Sequence, residues 1–374
     1  MRFTAALLSG MILAGSAHAE TISSQTLMHT PPLDTVPLSV DTFGRVAHEK
    51  SGAIAYSWPL VTFSSHFTGS EIWIDIDDSK GRLNVYIDGN IATTLSHPGA
   101  SRIHIKDVPE NPRGGDEHSV SLTRFNETQD SVSRLIAIYA HGASSGPPSM
   151  SPSKSIEFIG DSYTVGYGNT SSKRSCTAEE LDATTDTGKS FAVLTADAIW
   201  AKVQVNAYSG RGIVRNYNGF AGDTLPDLYP YALFDGKTEY HDPTWQPQVI
   251  VIALGTNDFS TPLHAGEKWK TEAELIADYE ATYVNFVKSL RTKNPDASVL
   301  LISYDPATTP QITTVRDRLR AAGETRVDVL EITGFTKNAC DHHPDTDDDR
   351  KISQTLIAYF DAHPELWPDL RQGK

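Results

Sequence analysis

The feature that most constrains this 374-residue chain is a change of rhythm at "GASSGPPSMSPSKS" (142–155). Before it, apolar residues recur at every second position in short runs. After it, strand-like apolar runs alternate with stretches of helical spacing. The stretch itself is rich in Gly, Ser and Pro, which interrupt regular structure, and reads as a linker. Two rhythms joined by a breaker imply two domains, which the length also favours.

Upstream, "EIWIDIDD" (71–78) alternates apolar and acidic residues, "SKG" turns the chain, and "RLNVYIDG" (82–89) resumes the alternation. This pattern predicts a hairpin. "SRIHIKDV", "HSVSLTRF" and "SRLIAIYAHG" are further strands, so residues 20–145 are expected to form an all-β sandwich of jelly-roll type. Downstream, strands "SIEFIG", "VQVNAYS", "PQVIVIALG", "ASVLLISY" and "RVDVLEI" are interleaved with helical spacings such as "EAELIADYEATYVNFVKSLRTKNP". Residues 146–374 are therefore expected to be an α/β three-layer domain around a parallel sheet.

The first residues, "MRFTAALLSGMILAGSAHAE", combine one basic residue, an apolar stretch and a small-x-small signal ending at Ala19. They read as a signal peptide (1–19) cleaved after Ala19, which places the mature chain in the periplasm or outside the cell. No later segment is long enough to span a membrane, and no membrane anchor is indicated. The net charge of −15 argues against a nucleic acid as partner, since no basic stripe exists to neutralise phosphates. Two cysteines without metal-ligand spacing argue against a zinc site, and no other metal or organic cofactor is indicated.

Ligands of open parallel sheets sit beyond the carboxyl ends of the strands. Four segments fall there: Ser162 after "SIEFIG", Gly210 after "VQVNAY", Asn257 after "PQVIVIALG", and Asp341 and His343 after "RVDVLEI". Each alone has a plain reading as a helix cap, a turn or a loop residue. Together they supply the parts of an acyl-transfer site. His343 would take the proton of Ser162, Asp341 would hold the imidazole through Nδ1, and the N–H groups of Ser162 and Gly210 with the Asn257 amide would form an oxyanion hole. The Asp341 assignment assumes an extended loop, in which residues two apart share a side. A histidine base implies activity lost below about pH 6 to 7. Arg211 and Arg215 are expected to neutralise nearby carboxylates, and Tyr163, Tyr167, Tyr217 and Trp245 to contribute core or rim.

Ser162, Gly210, Asn257 and His343 match, in order and context, the four blocks of the SGNH (GDSL-type) hydrolases. "GDSYTVGYGN", "AYSGRGIVRNYNG", "WQPQVIVIALGTNDFS" and "CDHHP" further resemble the second carbohydrate esterase family. That resemblance implies a jelly-roll joined to an SGNH domain. It also implies a secreted esterase that removes O-acetyl groups from xylan and glucomannan, with an acetylated polysaccharide or oligosaccharide as partner. An SGNH lipase or esterase for other acyl groups, and a non-catalytic polysaccharide-binding protein, are the alternative readings. Cys176 and Cys340 are each placed near a catalytic segment. In an oxidising compartment they permit one bridge that would clamp the acid–base loop to the nucleophile loop, two buried thiols being the alternative.

Overall fold

A computed structural model describes residues 21–28, 30–111, 115–146 and 151–368. The expected signal peptide and cleavage after Ala19, and the middle of the expected linker, lie outside the described residues. The first domain is antiparallel β throughout, and the second is a five-stranded parallel sheet flanked by helices.

The spine of the β domain is a 17-residue strand, Thr62–Asp78. Its first half pairs with Glu117–Arg124, and its second half lies between Gly99–Lys106 and Ser133–Ala143. Alternation along these strands buries Phe63, Ile72, Ile74, Ile76, Val120, Leu122, Leu135 and Ile138. The expected hairpin is not formed. Strand Arg82–Ile87 pairs with Glu117–Arg124 and Asn90–Ser96 instead of folding back on residues 71–78. The chain arches at Asp78, whose carboxylate accepts from the N–H groups of Lys80 and Gly81 and, at 2.9 Å, from the Tyr56 hydroxyl. Both strands exist as their alternation predicts, but alternation does not encode a strand's partner.

The parallel sheet has the spatial order Ala201–Ala207, Lys154–Gly160, Val249–Ala253, Ser298–Ser303, Val327–Glu331. Strands are thus added on opposite sides of the first one, and a crevice opens where Gly160 and Ala253 end side by side. Period two divides the buried residues between the faces. Ile156, Phe158, Val251, Leu300 and Ile302 meet Phe191, Ile352, Leu356 and Phe360 of helices Phe191–Ala198 and Thr346–Ala362. Ile159, Ile250, Ile252, Val299 and Leu301 meet Tyr279, Tyr283, Val287, Ile312 and Val315 of helices Glu272–Lys293 and Thr309–Ala321.

This second apolar layer runs on without a break into the β-domain core through Tyr208, Leu225, Leu228 and Tyr229. Arg45 of the β domain is 2 % exposed at the junction. Its Nε donates to Asn206 Oδ1 at 2.8 Å, its guanidinium faces Glu157 at 3.6 Å, and it lies 4.1 Å from the Tyr229 ring centroid. The domains therefore share a core and a buried ion pair.

Candidate active site

Strand Lys154–Gly160 ends at Gly160, where a Cβ would overlap the Thr164 side chain; glycine permits the abrupt turn at this point. Asp161 caps the one-turn helix Ser162–Val165, accepting from Tyr163 N–H at 3.1 Å. Ser162 is thus both helical and lifted off a strand end. The acidic run at 345–349 does comparable work. Asp345 caps helix Thr346–Ala362, Asp348 accepts from the N–H groups of Thr336 and Lys337, and Asp349 accepts from Phe191 N–H.

The Ser162 Oγ stands 2.8 Å from His343 Nε2. His343 Nδ1 faces two carbonyl oxygens, of Cys340 at 3.0 Å and Asp341 at 3.2 Å. Carbonyls only accept, so the proton belongs on Nδ1 and Nε2 is left to receive the serine hydrogen. Burial pulls the imidazole down to about 4, opposed by those two hydrogen bonds and by the Asp341 charge, so the acid limb expected at about pH 6 to 7 from an ordinary histidine is moved down to about pH 4. The ring is covered by Tyr167, at 4.4 Å between centroids, and by Tyr163 at 5.4 Å.

Two expectations are corrected. The Asp341 carboxylate does not orient His343; it accepts from the Tyr167 hydroxyl at 3.0 Å, and backbone carbonyls take its place on Nδ1. The loop is not extended, since Asp341 and His342 have φ of +50° and +60°, so the two-residue spacing no longer puts both side chains on one side. Asn257 does not present a free amide. Its Nδ2 donates to Asp161 Oδ2 at 3.0 Å and to the Arg211 carbonyl at 2.9 Å. In this geometry Asn257 ties the nucleophile turn to the Gly210 loop, and it could face an oxyanion only by releasing one acceptor.

Gly210 has φ of +76°, and a Cβ there would meet the Phe220 ring at 2.9 Å. Its loop is held by a device that sequence reasoning missed. The buried Asp258 carboxylate accepts from three successive N–H groups, those of Ile213, Val214 and Arg215. Burial lifts Asp258 to about 6 and Asp161 to about 7. Among the described residues, no acceptor faces the N–H groups of Ser162 and Gly210. Arg215 pairs with Glu267, at 2.6 and 2.9 Å, as a neutralising arginine should. Arg211 instead donates to Gln129 of the β domain. Tyr163 and Trp245 are buried, whereas Tyr217 (55 % exposed) and Phe220 (40 %) form an aromatic rim beside Gly210.

Cys176 and Cys340 form a disulfide. It joins the loop downstream of the nucleophile to the segment just before Asp341. Arg174 adds to the junction, accepting from Asp341 N–H at 2.7 Å and donating to the carbonyls of Thr336 and Lys337. Among the described residues, no group of three or more His, Cys, Asp or Glu side chains is arranged to hold a metal ion. No described helix is long and apolar enough to cross a membrane.

Comparison with known proteins agrees with this anatomy. Residues 158–364 match the GDSL-like lipase/acylhydrolase family, and residues 42–148 match the amino-terminal domain of carbohydrate esterase family 2. An acetylxylan esterase/glucomannan deacetylase of Cellvibrio japonicus (strain Ueda107) is 37 % identical over 96 % of this chain and 98 % of its own. A solved carbohydrate esterase, described as displaying divergent catalytic and non-catalytic binding functions in its active site, superimposes with a TM-score of 0.80. It is 37 % identical and covers 89 % of this chain and all of its own. A family two carbohydrate esterase from Clostridium thermocellum in complex with cellohexaose shares the fold, with a TM-score of 0.74 at 24 % identity over 88 % of this chain and all of its own. The chain belongs to the GDSL-like lipase/acylhydrolase family and, with a family 2 domain ahead of it, is a carbohydrate esterase, a carboxylic ester hydrolase.

Proposed function

We propose that the chain is an exported serine esterase that removes O-acetyl groups from plant-type polysaccharides, xylan and glucomannan, using a Ser162–His343 pair. The observation that carries this reading is the 2.8 Å contact between Ser162 Oγ and His343 Nε2, with Nδ1 fixed by two carbonyls. As Oγ attacks the acetyl carbon, Nε2 takes its proton, and the negative oxygen turns to the N–H groups of Ser162 and Gly210. Collapse breaks the bond to the sugar oxygen, which receives the proton from His343. Water, deprotonated by the same nitrogen, then releases acetate from Ser162. The Cellvibrio relative, named for both polysaccharides, supports the substrate class, and the exposed Tyr217 and Phe220 offer sugar-facing surface beside the site.

The test is acetate release from acetylated xylan and glucomannan by the wild type and Ser162→Ala. The expected loss exceeds about 10³-fold. Unimpaired release by Ser162→Ala would overturn the site. A wild type inactive on both polymers, but active on longer acyl esters, would favour a lipase.

A further inference from the structure

The β domain reaches the active site through the loop after strand Glu117–Arg124. Gln129 Nε2 donates to the Ser209 carbonyl at 2.9 Å and to Glu127 Oε2 at 3.1 Å. Glu127 Oε2 accepts from Ser209 N–H at 2.8 Å. Gln129 Oε1 accepts from Arg211 Nε and Nη2 at 3.1 and 2.8 Å. A guanidinium only donates, so Oε1 must face Arg211, and Nε2 must face the two acceptors. The residues on either side of Gly210 are thus gripped from the other domain.

The Ser209 carbonyl and the Gly210 N–H belong to one peptide group, which is planar and trans. Whatever fixes the direction of the carbonyl also fixes the direction of the N–H, on the opposite side. A donor on the carbonyl further polarises the N–H, since linked hydrogen bonds strengthen one another. The gripping loop is itself stiff. Buried Arg124 donates to the Ser57 carbonyl at 3.2 Å and to Thr128 Oγ1 at 2.8 Å, and Asn126 donates to the Lys80 carbonyl at 3.0 Å. Across the domain boundary, Thr187 N–H donates to the Phe125 carbonyl at 2.8 Å.

We infer that Gln129 is a positioning residue for the reaction: by donating to the Ser209 carbonyl, it aims the Gly210 N–H at the developing oxyanion. The β domain is in this sense part of the oxyanion hole. This rests on the assignment of Ser162 and Gly210 to the catalytic centre. The role acts in the transition state, so its loss should lower kcat and leave KM alone.

Gln129→Glu keeps the size of the side chain and the acceptor for Arg211, but loses the donor to both Ser209 and Glu127 and sets a carboxylate oxygen against Glu127. Gln129→Met removes the donor and the acceptor. With p-nitrophenyl acetate, both variants should lose about 10- to 100-fold in kcat at unchanged KM, less than outright removal of a donor. Inhibition by methylboronic acid, whose tetrahedral adduct on Ser162 mimics the oxyanion, should weaken by a similar factor. Thermal midpoints report whether the variants are folded at the assay temperature. Wild-type kcat in folded Gln129→Glu, with Ser162→Ala inactive, would overturn the inference and leave the site intact. A kcat loss with unweakened boronate inhibition would also overturn it. Full activity in Ser162→Ala would remove the catalytic-centre reading, and the inference with it.

Discussion

The covering of His343 by Tyr167 yields a prediction that separates this site from one with an exposed histidine. Burial draws the imidazole from 6.5 to about 4. At about 1.36 kcal/mol per pH unit, that displacement is on the order of 3 kcal/mol. Near pH 5.5 an ordinary histidine base would be about 9 % neutral, and this one about 97 %. Tyr167 is one of two tyrosines against the ring, and its hydroxyl holds the Asp341 carboxylate. Tyr167→Ala hydrates the imidazole and frees a neighbouring negative charge; both effects favour the protonated form. The acid limb of kcat/KM should then rise by about one unit, with the plateau above pH 7 retained because the Nδ1 contacts are backbone ones. Tyr167→Phe keeps the ring and frees only the carboxylate, so its limb should move less. The assay is acetate release between pH 3.5 and 8, because the nitrophenol chromophore fades in acid. A wild-type limb at 6.5, or a Tyr167→Ala profile superimposed on the wild type, would refute the reasoning.

Two further outcomes are expected. Burial lifts Asp349 to about 8, so the fold favours its protonated form; that stability is fully present below the unfolded carboxyl's range and is lost as pH rises through about 8. Asp349→Asn should therefore flatten the fall of Tm between about pH 4 and 8, and an unchanged slope there would contradict this. The disulfide spans 164 positions, for which loop-closure entropy gives about 5 kcal/mol of stabilisation. Cys176→Ser combined with Cys340→Ser should lower the urea midpoint and also kcat, since the His343 loop loses its tether. An unaltered midpoint would count against the bridge.

The parts of the site legible in the sequence are those fixed by the sheet. A parallel strand that is apolar on both faces announces itself, and the residues just past its carboxyl end must lie at the rim, so Ser162, Gly210, Asn257 and His343 can be placed together. Local conformation is less accessible. Nothing in "ACDHHPD" signals that Asp341 and His342 adopt positive φ, which turns the carboxylate toward Tyr167. The "SKG" turn looks like a hairpin because period two fixes a strand's faces and leaves its neighbours open. Asp258 reads as a turn residue because its three donors lie more than 40 positions away. Glu127 and Gln129 give no signal, since a contact across a domain boundary leaves no period, spacing or motif on either side.

The buried Arg45–Glu157 pair bears on how such proteins can be recombined. Separating the domains would take the Arg45 countercharge from Glu157, leaving it the neutral donors Asn206, Tyr229 and Trp245, and would open the apolar seam to water. Neither half is a detachable cassette. Shuffling this hydrolase onto a foreign sugar-binding module would succeed only if its native β partner travelled with it, so the transferable unit is the pair.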